Sequence, residues 1–216
     1  MLKKHIVCLG DSNTHGYCAD PADCADHGGR FNETERWTCL LQTALGADYL
    51  VIEEGLSGRT TVFPDPLHEG MTALEVASPI LMSHEPVDLL IIMLGTNDTK
   101  ERYNANPTVI ARGVARLVDK CRWIPCWGSH APNILVIAPP HIGQGMETVM
   151  PAMGAGCIEK SQQLAAILEP LVRAQGCAFL DAQGMAEFNQ VDYMHLTRRG
   201  HRQLAEALTQ LVPTLL

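Results

Sequence analysis

Apolar residues recur along this chain in two alternating rhythms. Five short, dense runs rich in Val, Ile and Leu predict strands at His5–Leu9, Tyr49–Ile52, Val87–Leu94, Asn133–Ala138 and Cys177–Leu180. Between them the apolar spacing widens to a helical period. Arg36–Leu45 lines up Trp37, Leu40, Leu41, Ala44 and Leu45, with Gly46 as a stop. Met71–Met82 gathers Leu74, Ala77, Ile80 and Leu81 on one side, and Pro79 predicts a kink or break there. Pro107–Val118 opens on a proline, with Asn106 as its cap. Ile158–Ala174 turns Leu164, Ile167, Leu168, Leu171 and Val172 inward; Pro170 is expected to perturb it and Gly176 to end it. Thr197–Val212 is the last helix. Residues 141–156, rich in Gly and Met, read as a loop.

Strands that alternate with helices predict a parallel sheet joined by right-handed crossovers. The fold class is therefore α/β, a flavodoxin-like three-layer α/β/α sandwich with a five-stranded parallel sheet. Val87–Leu94 is nearly all apolar, as a strand covered on both faces must be. No Pro/Gly/Ser-rich linker divides the 216 residues, so residues 1–216 read as one domain. In such a sheet all strand carboxyl ends share one rim, where ligands bind.

The rim is where the polar signals fall. Gly10-Asp11-Ser12 follows the first strand. Gly55-Leu56-Ser57-Gly58-Arg59 follows the second, and Gly95-Thr96-Asn97-Asp98 the third. Asp192-Tyr193-Met194-His195 lies beyond the last strand, just before the terminal helix. Each block is weak alone; four in this order, each after a strand, point to one site. A serine hydroxyl attacks only when a base takes its proton, and His195 is the candidate base. Asp192, three residues earlier, is placed by one tight turn to fix the imidazole tautomer. An acyl-transfer oxyanion needs donors, which the amides of Ser12 and Gly58 and the side chain of Asn97 supply. Asp11 and Asp98 are read as loop-fixing carboxylates.

Composition narrows the partners. Hydrophobic residues make up 46 % of the chain, and the net charge is −8 without a basic cluster. That speaks against nucleic acid or an anionic membrane as partner. The apolar run near the N-terminus is too short for a signal peptide, and no stretch has the ~18 apolar residues of a membrane span. The expected location is cytoplasmic, with the eight cysteines reduced and mostly buried. Cys121-x4-Cys126-x3-His130 is the nearest approach to metal spacing and lacks a second half, so no metal and no cofactor are expected.

Together Gly10-Asp11-Ser12, Gly58, Gly95-Thr96-Asn97-Asp98 and Asp192-x-x-His195 resemble the four blocks of the SGNH hydrolase (GDSL esterase) superfamily. The resemblance spans residue 6 to about residue 205. It implies Ser12 as nucleophile, Asp192 and His195 as its partners, and Ser12, Gly58 and Asn97 as the oxyanion hole. The run Val51–Thr61 resembles the arylesterase/acyltransferase subgroup, which implies short acyl esters, a small-molecule substrate, possible transfer to alcohols and a homo-oligomer. Two positions depart from the family pattern: Asn13 stands where Leu is usual, and Glu53 where many members have Asn. Gly58 is Ala in part of the subgroup, and a backbone donor survives either way.

The expected function is a serine esterase acting on small carboxylic esters. An O-acetylesterase for an acetylated carbohydrate or metabolite uses the same residues and is the alternative. A flavodoxin-like phosphate-binding module is a remote third: the first loop lacks both the P-loop lysine and any G-x-G-x-x-G spacing. His15 and His141 are candidates to line the pocket. Met146, Met150 and Met153 are candidates for a flexible wall or an oligomer contact. Trp123 and Trp127 either anchor another subunit or fold under their loop.

Overall fold

The structure, a computed structural model, describes residues 2–216. In chain order the elements are β1 (Lys4–Gly10), α1 (Ser12–His15), α2 (Trp37–Leu45), β2 (Tyr49–Gly55), α3 (Ala73–Ser83) and β3 (Leu89–Met93). There follow α4 (Pro107–Arg122), β4 (Ile134–Ala138), α5 (Met146–Val149), α6 (Cys157–Ala174), β5 (Ala178–Asp181) and α7 (Arg198–Leu211). All strand pairs are parallel, in the order β2-β1-β3-β4-β5. The fold is the expected three-layer α/β/α sandwich.

Strand alternation divides the core in two. Val7, Leu9, Leu90, Ile92 and Val136 face α3, α4 and α6. Ile6, Cys8, Leu89, Ile91, Met93, Leu135 and Ile137 face α2 and α7. The middle strands read as unbroken apolar runs because both of their faces are covered. β2 and β5 at the edges are only half-buried, which lets Glu53 and Glu54 stand in a strand.

Both helical prolines were expected to disturb their helices, yet α3 and α6 run through Pro79 and Pro170 without interruption. Each proline is exposed, as are Glu75 and Ala166 one turn earlier, so water reaches the carbonyls that lose a donor. Residues 141–156 are also not all loop: α5 and a 3-10 turn at Pro151–Met153 interrupt them, packing Met146 and Met153 beside Cys157 and Ile158. α4 runs four residues past the expected end, and Asn106 caps it by accepting from the Val109 amide at 3.0 Å. Thr197 caps α7 in the same way through Gly200.

The single-turn α1 carries Ser12, and two glycines make room for it. Gly10 and Gly55 are register partners on β1 and β2. A Cβ on Gly10 would fall 2.0 Å from the Thr14 hydroxyl, and one on Gly55 would fall 2.2 Å from the His15 backbone nitrogen. The turn therefore lies directly on the bare backbone of two neighbouring strands.

Candidate active site

Asp11 follows β1 and caps α1 by accepting from the Asn13 amide at 3.0 Å, so Ser12 opens the turn. The segment 189–196 crosses above it from the far side of the sheet. His195 Nε2 lies 2.8 Å from Ser12 Oγ, and His195 Nδ1 lies 2.6 Å from Asp192 Oδ2. Three side chains separated by up to 183 positions thus form one hydrogen-bonded line. All three are buried, at 8 %, 5 % and 7 % exposure for Ser12, Asp192 and His195. Water competes little with the contacts between them.

The other oxygen of Asp192, Oδ1, accepts from Asn189 Nδ2 at 2.9 Å and from the amides of Met194 and His195 at 3.1 Å each. Burial alone would raise this carboxyl; His195, Asn189 and the His195 amide outweigh it and hold the group down at about 2. Asp192 is consequently a fixed anion against Nδ1, which makes Nδ1 the protonated nitrogen and leaves Nε2 free to accept from Ser12. The Tyr17 ring packs on His195 with centroids 4.5 Å apart.

The expected oxyanion donors line the same cavity as Ser12. Gly58 holds φ +89, a left-handed conformation that suits glycine. Among the described residues no hydrogen bond occupies the amides of Ser12 or Gly58. Asn97 sits in a 3-10 turn after β3, and its Nδ2 donates to Arg59 O at 3.2 Å and stands 3.5 Å from Asp11 Oδ2. The second contact is at the limit of a hydrogen bond, so that proton is weakly engaged. Asp98 lies under the floor and accepts from the Thr61 amide at 2.9 Å, tying the second loop to the third. Asp11 and Asp98 fix loops as expected.

A cavity of about 330 Å³ opens over Ser12, Gly58, Asn97 and His195. Its walls include Tyr17, Thr96, Met150, Met153 and Met194, with Lys100, Arg102 and His68 on the polar side. Met150 and Met153 fit the expected wall, whereas Met146 is fully buried behind it. His15 and His141 do not line it. The α1 turn carries His15 over Gly55 and beside Arg30, and the His141 amide is held by Gln183 at 2.8 Å. The two tryptophans part company: Trp127 is folded under, its Nε1 donating to Cys121 O, while Trp123 is 83 % exposed.

The two departures from the family pattern acquire explanations. Glu53 receives Arg36 through Nε at 2.9 Å and Nη2 at 3.0 Å, and also the Thr38 hydroxyl. Arg36 in turn donates to Phe31 O, so this pair fastens the 17–36 loop to the sheet edge. Asn13 bridges the two halves of the site. Its Nδ2 donates to Met194 O at 3.2 Å and its Oδ1 accepts from the Leu196 amide at 2.9 Å, gripping the backbone on both sides of His195. Sequence reasoning missed this clamp, Asn189 and the cationic wall. Asn189 and Val191 have the spacing of an Asx turn, the Val191 amide donating to Asn189 Oδ1 at 2.7 Å, and this was findable; Asn13 had no local signal.

The fold agrees with that of known proteins. The model of the GDSL-like lipase/acylhydrolase family matches residues 8–203. No curated protein matches the chain. Among solved structures, the native aryl esterase of M. smegmatis is similar at 35 % identity and TM-score 0.88, over 99 % of this chain and 100 % of that one. Est24, a carbohydrate acetylesterase from Sinorhizobium meliloti, is similar at 32 % identity and TM-score 0.88, again over 99 % and 100 %. A lipase/acylhydrolase from Enterococcus faecalis, at 19 % identity and TM-score 0.69 over 98 % and 96 %, shares the fold. The chain belongs to the GDSL-like lipase/acylhydrolase family of SGNH hydrolases, a family of ester hydrolases.

Proposed function

We propose that the protein is a serine esterase for small carboxylic esters, acting through an acyl-Ser12 intermediate. The observation that carries this reading is the unbroken line Ser12 Oγ to His195 Nε2 at 2.8 Å and His195 Nδ1 to Asp192 at 2.6 Å. Ser12 Oγ attacks the ester carbonyl carbon as Nε2 takes its proton. The carbonyl electrons move to oxygen, which the Ser12 and Gly58 amides and Asn97 Nδ2 stabilise. When the tetrahedral species collapses, the C–O bond to the alcohol breaks, and the imidazolium returns the proton to the leaving oxygen. Water, deprotonated by His195, then releases the acid and restores Ser12. Asn13 and Asn189 touch no reacting atom; they hold the His195 segment in place.

A cavity of about 330 Å³ favours a short acyl chain over a long lipid tail. Its methionine and tyrosine wall is poor company for water, so a second alcohol competes for the acyl-enzyme and transfer accompanies hydrolysis. A sugar O-acetyl ester as substrate is supported by the likeness to the carbohydrate acetylesterase Est24. The test is labelling with a fluorophosphonate followed by peptide mapping. One adduct at Ser12, abolished in Ser12→Ala, is expected. A folded preparation that is unlabelled, or labelled on another serine, contradicts the assignment.

A further inference from the structure

Every charged side chain lining the cavity is a cation or a histidine. Lys100, Arg102, His68 and His195 reach it, and among the described residues no Asp or Glu does. This local bias runs against a chain of 24 acidic and 16 basic residues. The two cations differ in an informative way. Arg102 is already engaged: Nη2 donates to Ala152 O at 2.9 Å, and Nη1 stands 3.5 Å from Asp65, which also accepts from Tyr103. Lys100 is 9 % exposed, sits three residues after Asn97, and makes no side-chain hydrogen bond or ion pair among the described residues.

The Lys100 stem is buried while Nζ keeps contact with solvent, so water in the cavity, and no protein group among the described residues, meets the ammonium. Burial and the neighbouring Arg102 lower the Lys100 amine from its ordinary value, against the pull of Asp65, Asp11 and Asp98, none of which bonds to Nζ. The nitrogen stays open to the cavity that Ser12 also lines.

We propose that Lys100 is an anion-recognition residue, and that the preferred substrates are esters carrying a carboxylate. The inference rests on the esterase reading above and deepens it. A substrate carboxylate would supply the hydrogen-bond partner Lys100 lacks, in a site sheltered enough for a charge-assisted contact to be strong. A neutral ester of the same shape leaves the ammonium unpaired. Selectivity of this kind needs no change in the reaction, because the contact adds binding and takes no part in the proton transfers.

The experiment uses two ester pairs that differ only in charge. 4-Acetoxybenzoate and methyl 4-acetoxybenzoate place the carboxylate on the alcohol side. Monophenyl glutarate and methyl phenyl glutarate, followed by phenol release, place it on the acyl side. Each kcat/KM is normalised to the ester's hydroxide-catalysed rate, and the charged-to-neutral ratio is the readout. In at least one pair the ratio should exceed one, fall about tenfold in Lys100→Met, and survive largely in Lys100→Arg. It should also fall in wild-type enzyme as salt is raised. Ratios that ignore Lys100→Met in both pairs overturn the proposal, as does an equal loss for charged and neutral esters. Thermal shift by 4-hydroxybenzoate reads the same contact without turnover. No hydrolysis of any ester, with a shift that depends on Lys100, would sink the esterase reading and keep the anion site. No dependence on Lys100 in either readout sinks the anion site alone.

Discussion

Asn13 shows how one amide can join two distant segments. Its orientation is unambiguous, because Oδ1 meets an N–H and Nδ2 meets a carbonyl. Asn13→Leu restores the residue usual in the family but leaves the Met194 carbonyl and the Leu196 amide buried and unpaired. That costs about 1–3 kcal/mol of stability, and it loosens the segment carrying His195. The expected result is a kcat lower by tenfold or more with KM little changed, since misplacement of a base by about 1 Å can cost about 10²-fold. Asn13→Asp keeps the acceptor, loses the donor and should fall between the two. Steady-state kinetics with p-nitrophenyl acetate beside thermal melts separate these outcomes; an undiminished kcat in Asn13→Leu refutes the clamp. Asn97 acts differently, on the developing charge. Asn97→Ala should lower kcat by about 10²–10³-fold with the melt nearly unchanged, and full turnover would remove Asn97 from the oxyanion hole.

At the scale of elements, α1 is the piece whose position decides the chemistry. It is a single turn with no strength of its own, fixed by the Asp11 cap and by its seat on Gly10 and Gly55. Gly55→Ala puts a methyl group 2.2 Å from the His15 nitrogen and 2.5 Å from the Thr14 carbonyl carbon, both backbone atoms that cannot rotate away. The turn must lift, and Ser12 lifts with it. Overpacking of this kind costs about 1–3 kcal/mol, while fluorophosphonate labelling of Ser12 should slow by tenfold or more. A labelling rate equal to wild type would show that the seat does not set Ser12's position. This seat was invisible in the sequence: two glycines 45 positions apart say nothing until β1 and β2 pair. What the sequence did carry is local. Ser12 and Asn97 sit where a run of apolar residues stops, the Asp192–His195 turn lies between the last strand and the last helix, and the parallel order of the strands brings these segments to one rim. The same logic failed for His15 and His141, because loop membership says which rim a residue is on and not which way its turn points it. It also missed Lys100, whose meaning lies in having no partner.

For the whole molecule, the buried carboxyls set how stability responds to pH. Burial pushes Asp98 up to about 6 from an ordinary 3.8, with Asp11 adding to the rise and the Thr61 hydrogen bonds opposing it. Asp11 is likewise raised to about 6 by burial, against the pull of the Asn13 amide. Asp192 is shifted the other way, to about 2. The signs follow from proton uptake. Between about pH 4 and 6 the unfolded chain has released the Asp98 proton while the folded protein still holds it. Stability from this group is therefore complete below pH 4 and declines as pH rises to 6, by on the order of 3 kcal/mol. Asp192 gives its contribution above about pH 4 and loses it as pH falls towards 2, outside that window. Asp98→Asn removes the titration but keeps an oxygen for the Thr61 amide. Melts of wild type and variant at pH 4, 5, 6 and 7 should show the variant gaining on wild type from pH 4 to 6, by several degrees of Tm, with a constant difference above pH 7. A difference independent of pH would mean that Asp98 is ionised throughout, and that its unpaired Oδ2 has a partner such as buried water.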